Sequence, residues 1–165
     1  MKKSLSFLII DYLEHLEVEL GRSQKTIENY DHYLRRFVTF TTYENIRPIP
    51  ENITPDLVRK YRVYLHRYEM DDGSTFKQST QNYHAIALRN FLKYLSKRDI
   101  DTLAPEKIEI GKTPARQVEF LDPEEVSRLL AAASGPNRAA KRDRALLELL
   151  FSAGLRVSEI VSIDR

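Results

Sequence analysis

Residues 142–160, RDRALLELLFSAGLRVSEI, decide the fold class of the C-terminal part of the chain. The stretch opens with three charged residues, continues as a leucine-rich run that is apolar on nearly all sides, and reaches a glycine. The spacing predicts a helix over 139–152 that Gly154 ends, and a short helix over 156–160. A helix that is apolar all round is typical of the centre of a domain.

The segment just upstream predicts one more helix and a small second domain. Asp122 is placed to cap a helix whose first turn holds Pro123, and Val126, Leu129 and Leu130 are expected to face inward. Residues 120–165 are nevertheless only 46 in number, and segments of roughly this size rarely bury enough surface to fold alone. We therefore expect residues 120–165 to be the first part of a larger domain.

The first hundred residues predict four helices and no strand, because apolar residues recur at helical spacing and never alternate with period two. Ser23 and Thr54 are placed to cap the second and third helices. The predicted helices cover 5–20, 24 to before Pro48, 55–68 and about 79–96, and the inner stripe of the fourth is Tyr83, Ile86, Ala87, Phe91 and Leu95. The chain as given is predicted to be all-α.

Between these helical parts the periodicity breaks down. Pro105, Gly111 and Pro114 occur among mixed charges, which is typical of a connecting segment. We predict a helical domain over 1–98, a linker over 99–119 that is partly wrapped on a neighbour, and the start of a second domain over 120–165.

Composition narrows the function classes. The 165 residues include no cysteine and four scattered histidines, so disulfides and thiolate metal sites are excluded, and no metal or cofactor is expected. No apolar run approaches the roughly 20 residues of a membrane span. A cytoplasmic protein without membrane association is therefore expected. The net charge of +2 neither requires nor forbids a nucleic-acid partner.

Residues 142–160 resemble the first arginine box of tyrosine recombinases, particularly the Xer and phage-integrase group. The family pattern is an Arg-Asp pair, an apolar helix, then Gly-Leu-Arg-x-Ser-Glu. Residues 120–126 resemble the opening of the same catalytic domain. Residues 5–97 resemble the four-helix core-binding domain, through Ser23, Thr26, Tyr30, Leu34 and Phe37. The resemblance covers the whole chain and implies a four-helix SAM-like domain, a linker and the first helices of a truncated mixed α/β catalytic domain.

The resemblance assigns Arg156 as the first active-site arginine, contacting the scissile phosphate, with Glu159 as a supporting residue. An arginine is suited to this role, because a planar guanidinium can donate two parallel charge-assisted hydrogen bonds to two phosphate oxygens. Taken alone, an arginine three residues before a glutamate is most often a solvated ion pair worth less than about 1 kcal/mol. Asp143 and Arg144 are explained as helix-start and surface charges.

The elements that the family places after this arginine are a lysine, a His-x-x-Arg box and the tyrosine nucleophile. Nine residues follow Arg156, and none is Tyr, His or Lys. All nine tyrosines lie between Tyr12 and Tyr94, where Tyr30, Tyr61 and Tyr83 are more simply core residues. This polypeptide is therefore expected to bind but not to cleave DNA, and its status as an enzyme stays open.

The resemblance also implies that the second and fourth helices face the major groove of a DNA duplex. Candidate contacts on the second helix lie opposite its apolar stripe, and those on the fourth crowd its start or form a line at steps of four. They are Lys25, Asn29 and Arg36 (beside His32) on the second helix, and Lys77, Gln78, Gln81, Asn82, Arg89, Lys93 and Lys97 on the fourth. The alternative is that each is an ordinary solvated residue.

By resemblance, the full enzyme would break and rejoin double-stranded DNA through a covalent phosphotyrosine, as a tetramer and without metal or nucleotide. Xer-type chromosome-dimer resolution and integration of mobile elements both use this architecture. Two alternatives stay open: a stand-alone truncated protein that occupies recombination sites, and a helical protein-interaction module.

Overall fold

The computed structural model describes residues 4–113 and 119–163, which belong to two compact units divided after Pro114. Residues 114–118 of the predicted linker and both chain ends lie outside the described residues. Within the described ranges the only β-type pairing is an isolated bridge between Glu69 and Thr75, so the predicted all-α fold is confirmed.

The N-terminal unit contains the four predicted helices. Helix α1 spans Leu5–Glu14 and continues as a π-helical turn over His15–Glu19. Helices α2, α3 and α4 span Gln24–Tyr43, Pro55–Arg67 and Gln78–Lys97.

The starts of α2 and α3 are fixed by the two capping residues that the sequence indicates. The Ser23 hydroxyl accepts a hydrogen bond from the Thr26 amide at 3.4 Å, and the Thr54 hydroxyl accepts one from the Leu57 amide at 3.2 Å. Each cap satisfies an amide that the first helical turn leaves without an intrahelical partner.

The core of this unit is aromatic and aliphatic, and the four helices share it. Phe37 of α2, Tyr61 of α3 and Phe91 of α4 are each no more than 2% exposed. The Phe37 and Tyr61 rings meet edge to face with centroids 5.0 Å apart, while Phe91 lies 5.5 Å from the Tyr12 ring of α1. Such ring pairs add stability beyond the apolar area they bury.

The predicted inner stripe of α4 needs a correction at Tyr83, which is 53% exposed, whereas the next residue, His84, is 1% exposed. Ile86 is half-buried, and Ala87, Phe91 and Leu95 are buried as predicted. His84 is accepted inside because its Nδ1 lies 3.1 Å from the Tyr61 hydroxyl, which supplies a hydrogen-bond partner 23 residues away.

The segment after α4 packs back onto the helical unit. Leu103 and Ile108 are buried in its core, on either side of a 3-10 turn over Pro105–Lys107. The Thr102 hydroxyl also donates to the Pro50 carbonyl at 3.4 Å. These contacts fix the course of the chain along the unit as far as Ile108.

The second unit contains α5, Pro123–Ala132, α6, Arg138–Ala153, and α7, Val157–Ile160. Asp122 caps α5 as predicted, and a reciprocal bond joins the Glu125 carboxylate to the Asp122 amide at 3.0 Å. The predicted inward face of α5 is not covered by described residues, since Leu129 is 44% exposed and Val126 and Leu130 are half-buried. Phe151, at the end of α6, is 66% exposed.

The buried imidazole makes the stability of the N-terminal unit depend on pH. Burial lowers the pKa of His84 to about 4, and the charges of Arg36 and His32 act in the same direction. His84 therefore becomes protonated below about pH 6.5 in the unfolded chain, but only below about pH 4 in the folded chain. Because the unfolded chain binds more protons between these two values, the free energy of unfolding falls as the pH drops from about 6.5 to about 4.

We expect the free energy of unfolding to fall by about 2 kcal/mol between pH 6.5 and 4.5 through this group, as read from urea unfolding. The His84→Gln variant should lose that part of the pH dependence, whatever its stability at pH 6.5. His66→Gln, at an exposed position of α3, should keep it. An unchanged pH dependence in His84→Gln would contradict this explanation.

Candidate nucleic-acid interface and arginine box

The arginine box is built by the turn between α6 and α7. Gly154 ends α6 with φ of 63°, in the left-handed region that glycine enters at no steric cost, and its amide donates to the Leu150 carbonyl at 3.0 Å. Two residues after Gly154, Arg156 is the residue that precedes α7.

Glu159 contacts Arg156 at two points. Its Oε2 accepts from the Arg156 backbone amide at 2.7 Å, and its Oε1 accepts from Nη1 of the Arg156 guanidinium at 2.9 Å. The Arg156 side chain is 81% exposed, so this pair adds little to stability. Its consequence is positional, because one carboxylate orients both the helix start and the guanidinium. The sequence anticipated this pairing from the three-residue spacing.

Two other charged residues of the box, Asp143 and Arg144, form ion pairs and hydrogen bonds with residues in and near α6. Arg144 donates to the Glu148 carboxylate at 2.8 Å and to the Ser134 hydroxyl at 2.7 Å, and Asp143 accepts from Arg142 at 2.7 Å. These bonds agree with the surface roles expected for Asp143 and Arg144.

In the N-terminal unit, the basic residues of α4 form an exposed line. Arg89, Lys93 and Lys97 are all exposed and follow one another at intervals of four, so they share one side of the helix. Lys97 lies in the last turn, where the negative end of the helix dipole stabilises a positive charge. A row of cations along one helix face can contact successive phosphates of a nucleic-acid backbone.

The polar residues at the start of α4 divide into two groups. Lys77 and Gln78 are exposed, and Gln81 is half-buried with its side-chain nitrogen donating to the Phe76 carbonyl at 2.8 Å. Asn82 is 7% exposed, and its amide donates to the Gly111 carbonyl at 2.7 Å and to the Thr113 hydroxyl at 2.8 Å. The Asn82 side-chain amide is therefore engaged by the chain that follows α4.

The candidates on α2 differ in the same way. Lys25 and Asn29 are exposed, and the Lys25 ammonium lies 3.2 Å from the Glu28 carboxylate. The Arg36 guanidinium instead stacks with two aromatic rings, 4.4 Å from the Tyr68 centroid and 5.1 Å from the Phe76 centroid. Cation–π packing of this kind holds Arg36 against the turn between α3 and α4.

The structure adds residues that the sequence did not indicate. The exposed Tyr83 ring stacks on Tyr33 of α2, with centroids 6.4 Å apart and planes inclined by 15°. In addition, Arg22, which follows the first helical segment, lines a pocket together with Lys93 and Lys97. Both groups depend on how α2 and α4 pack together, which helical periodicity does not reveal.

Within residues 4–113 and 119–163, no helix is long and apolar enough to cross a membrane. In the same ranges no group of three or more His, Asp or Glu side chains could hold a metal ion.

Comparison with known families identifies both parts of the chain. Residues 9–99 match the family described as phage integrase, N-terminal SAM-like domain, which is more than half of the chain. Residues 119–165 match the phage integrase family. The two matches follow each other in the order of the two compact units.

Similar proteins include tyrosine recombinase XerC of Bacillus subtilis strain 168, which is 32% identical over 154 residues that cover 92% of this chain and 48% of the relative. Tyrosine recombinase XerD of Mycobacterium tuberculosis strain H37Rv is 30% identical over 168 residues, covering 98% of this chain and 54% of the relative. The chain thus spans about half the length of the curated relatives it matches.

Among solved structures, the N-terminal domain of a phage integrase/site-specific recombinase from Haloarcula marismortui superposes with a TM-score of 0.55 at 23% identity. The match covers 67% of this chain and 99% of that domain, and it shows a shared fold. The chain therefore belongs to the phage integrase family of tyrosine recombinases, and it carries the N-terminal SAM-like domain and the start of the catalytic domain.

Proposed function

We propose that this chain is the DNA-binding portion of a site-specific tyrosine recombinase. The observation that carries the proposal is the exposed line of Arg89, Lys93 and Lys97 on a helix of the SAM-like domain. Cations on one face release condensed counterions from the phosphate backbone when they bind, which is the main source of affinity for duplex DNA.

The proposed interface combines phosphate contacts with a smaller set of groups able to read bases. The four lysines and the arginine supply charge, while amide side chains can pair with base edges in the major groove. We assign to this interface Lys25, Asn29, Lys77, Gln78, Gln81, Arg89, Lys93 and Lys97. Arg36 contributes indirectly, because its stacking on Tyr68 and Phe76 braces the turn that leads into Lys77.

We assign Arg156 to the scissile phosphate and Glu159 to holding its guanidinium. During attack on a phosphodiester the equatorial oxygens gain negative charge, and a guanidinium presented in advance stabilises that charge. Support comes from the two bonds that one Glu159 carboxylate makes to Arg156, and from the 81% exposure that leaves the guanidinium accessible.

In the proposed domain organisation, residues 1–98 form the DNA-binding domain, residues 99–119 form the linker, and residues 120–165 form the start of the catalytic domain. The match of residues 119–165 to the phage integrase family supports the last assignment. In the full-length enzyme, a tyrosine supplied by the rest of the catalytic domain would form the covalent phosphotyrosine. We propose that the full-length enzyme assembles as a tetramer on double-stranded DNA. Its role would be Xer-type chromosome-dimer resolution or the integration of mobile elements.

A gel shift with the 165-residue chain and a random-sequence duplex tests the proposal. We expect a retarded complex at about 50 mM salt, where nonspecific electrostatic binding is strong. The same mixture, run on a denaturing gel, should show no covalent protein–DNA adduct and no nicked strand. A folded chain that fails to retard the duplex would refute the DNA-binding assignment, and an adduct would refute the absence of cleavage.

A further inference from the structure

A concave pocket of about 480 Å³ lies where the end of the first helical segment meets α2 and α4. Its walls include Tyr12, Arg22, Tyr30, Asn90, Lys93 and Lys97. The pocket thus draws on three separate parts of the N-terminal unit, and one side of it belongs to the exposed basic line of α4.

Positive charge converges on this pocket. Arg22 is brought to its rim by the turn at Gly21, whose φ is 56°, and by the bond from the Arg22 amide to the Leu16 carbonyl at 2.9 Å. Lys93 and Lys97 also line the pocket, and the described lining residues include no carboxylate. The neighbouring Glu19 pairs with Arg98, whose Nη2 lies 3.4 Å from its Oε1.

The floor of the pocket offers hydroxyl donors. Tyr12 is 3% exposed as a residue, and it lines the pocket. Burial raises the pKa of Tyr12, so the hydroxyl keeps its proton and can donate. The Tyr30 hydroxyl accepts from the Asn90 amide at 2.9 Å, which leaves its own proton available.

We propose that this pocket binds one phosphate of the DNA backbone, with Arg22, Lys93 and Lys97 supplying charge and Tyr12 and Tyr30 donating hydrogen bonds. A phosphate has several acceptor oxygens, so it can accept charge-assisted bonds from the three cations and hydrogen bonds from the two hydroxyls at once. The inference rests on the proposed DNA binding and extends it to Arg22 and Tyr12, which lie outside α2 and α4. A free phosphate would satisfy the same donors, so the test includes both sources.

The test compares three single variants of the 165-residue chain by fluorescence anisotropy with a labelled duplex over a range of salt. Arg22→Gln should weaken binding about 5-fold and lower the magnitude of the salt slope by about 0.9, the value of one phosphate contact. Tyr12→Phe keeps the ring, so it should weaken binding about 3-fold through the lost hydrogen bond and leave the slope unchanged. Arg62→Gln removes the same charge from the exposed face of α3 and should leave both unchanged.

Other outcomes separate the pocket from the proposed function. If the wild-type chain binds the duplex and Arg22→Gln and Tyr12→Phe match it, the pocket assignment is overturned while DNA binding stands. In a second arm, inorganic phosphate is titrated into the labelled wild-type chain and followed by amide NMR shifts, which should move at Arg22 and Asn90. If phosphate moves those amides but the chain does not bind duplex, the DNA source is overturned together with the proposed function.

Discussion

Duplex binding by the double variant Arg89→Glu/Lys93→Glu is expected to be about 100-fold weaker than by the wild-type chain, since two charge-assisted contacts are lost and replaced by repulsion. Both side chains are exposed on one side of α4, four residues apart. The salt slope should also fall in magnitude by about 2, because two fewer phosphates are neutralised. Fluorescence anisotropy with a labelled duplex at several salt concentrations measures both quantities.

A matched control separates a local interface from a general effect of net charge. The Arg62→Glu/Arg67→Glu variant changes the net charge by the same amount on α3, where both residues are exposed. It should keep the wild-type slope and bind within a few-fold of it, because only long-range, salt-screened repulsion is added. Equal losses in the two double variants would show that α4 holds no special place in binding.

The second large effect concerns the core on which this surface is mounted. Phe91→Ala should lower the free energy of unfolding by about 3–5 kcal/mol, because the ring is 1% exposed and its removal leaves a cavity. The Phe91 ring lies 5.5 Å from the Tyr12 ring, so the cavity would open between α1 and α4. Urea unfolding of the two proteins at neutral pH measures the difference.

Tyr83 provides the control on the same helix. Helical spacing predicts that both rings face inward, but Tyr83 is 53% exposed. Tyr83→Ala should therefore cost less than about 1 kcal/mol, mainly its stacking on Tyr33. If Tyr83→Ala destabilised the chain as much as Phe91→Ala, the arrangement of α4 described above would be incorrect.

Local sequence rules were sufficient for the helix boundaries and for the arginine box. Ser23, Thr54 and Asp122 each cap the helix they precede, and Gly154 takes the left-handed conformation that ends α6. These features depend on a few adjacent residues, so the sequence alone specifies them. The pairing of Arg156 with Glu159 also lies within one turn.

Features that depend on distant residues were not predictable. His84 is buried because Tyr61 supplies its partner, while Asn82 is turned inward by Gly111 and Thr113. The polar face of α4 therefore looks larger in the sequence than in the structure. The position of Arg36 was also not predictable. Its guanidinium stacks on Tyr68 and Phe76, which follow α3 in the sequence and lie far from Arg36 along the chain.

The salt dependence of duplex binding by the wild-type chain is the most direct test of the central claim that the SAM-like domain binds the DNA backbone through α2 and α4. About five phosphate contacts by the four assigned lysines and the assigned arginine predict a slope of log K against log salt concentration of about −4.5. A slope near zero, or no binding at about 50 mM salt by a chain shown to be folded, would contradict the claim.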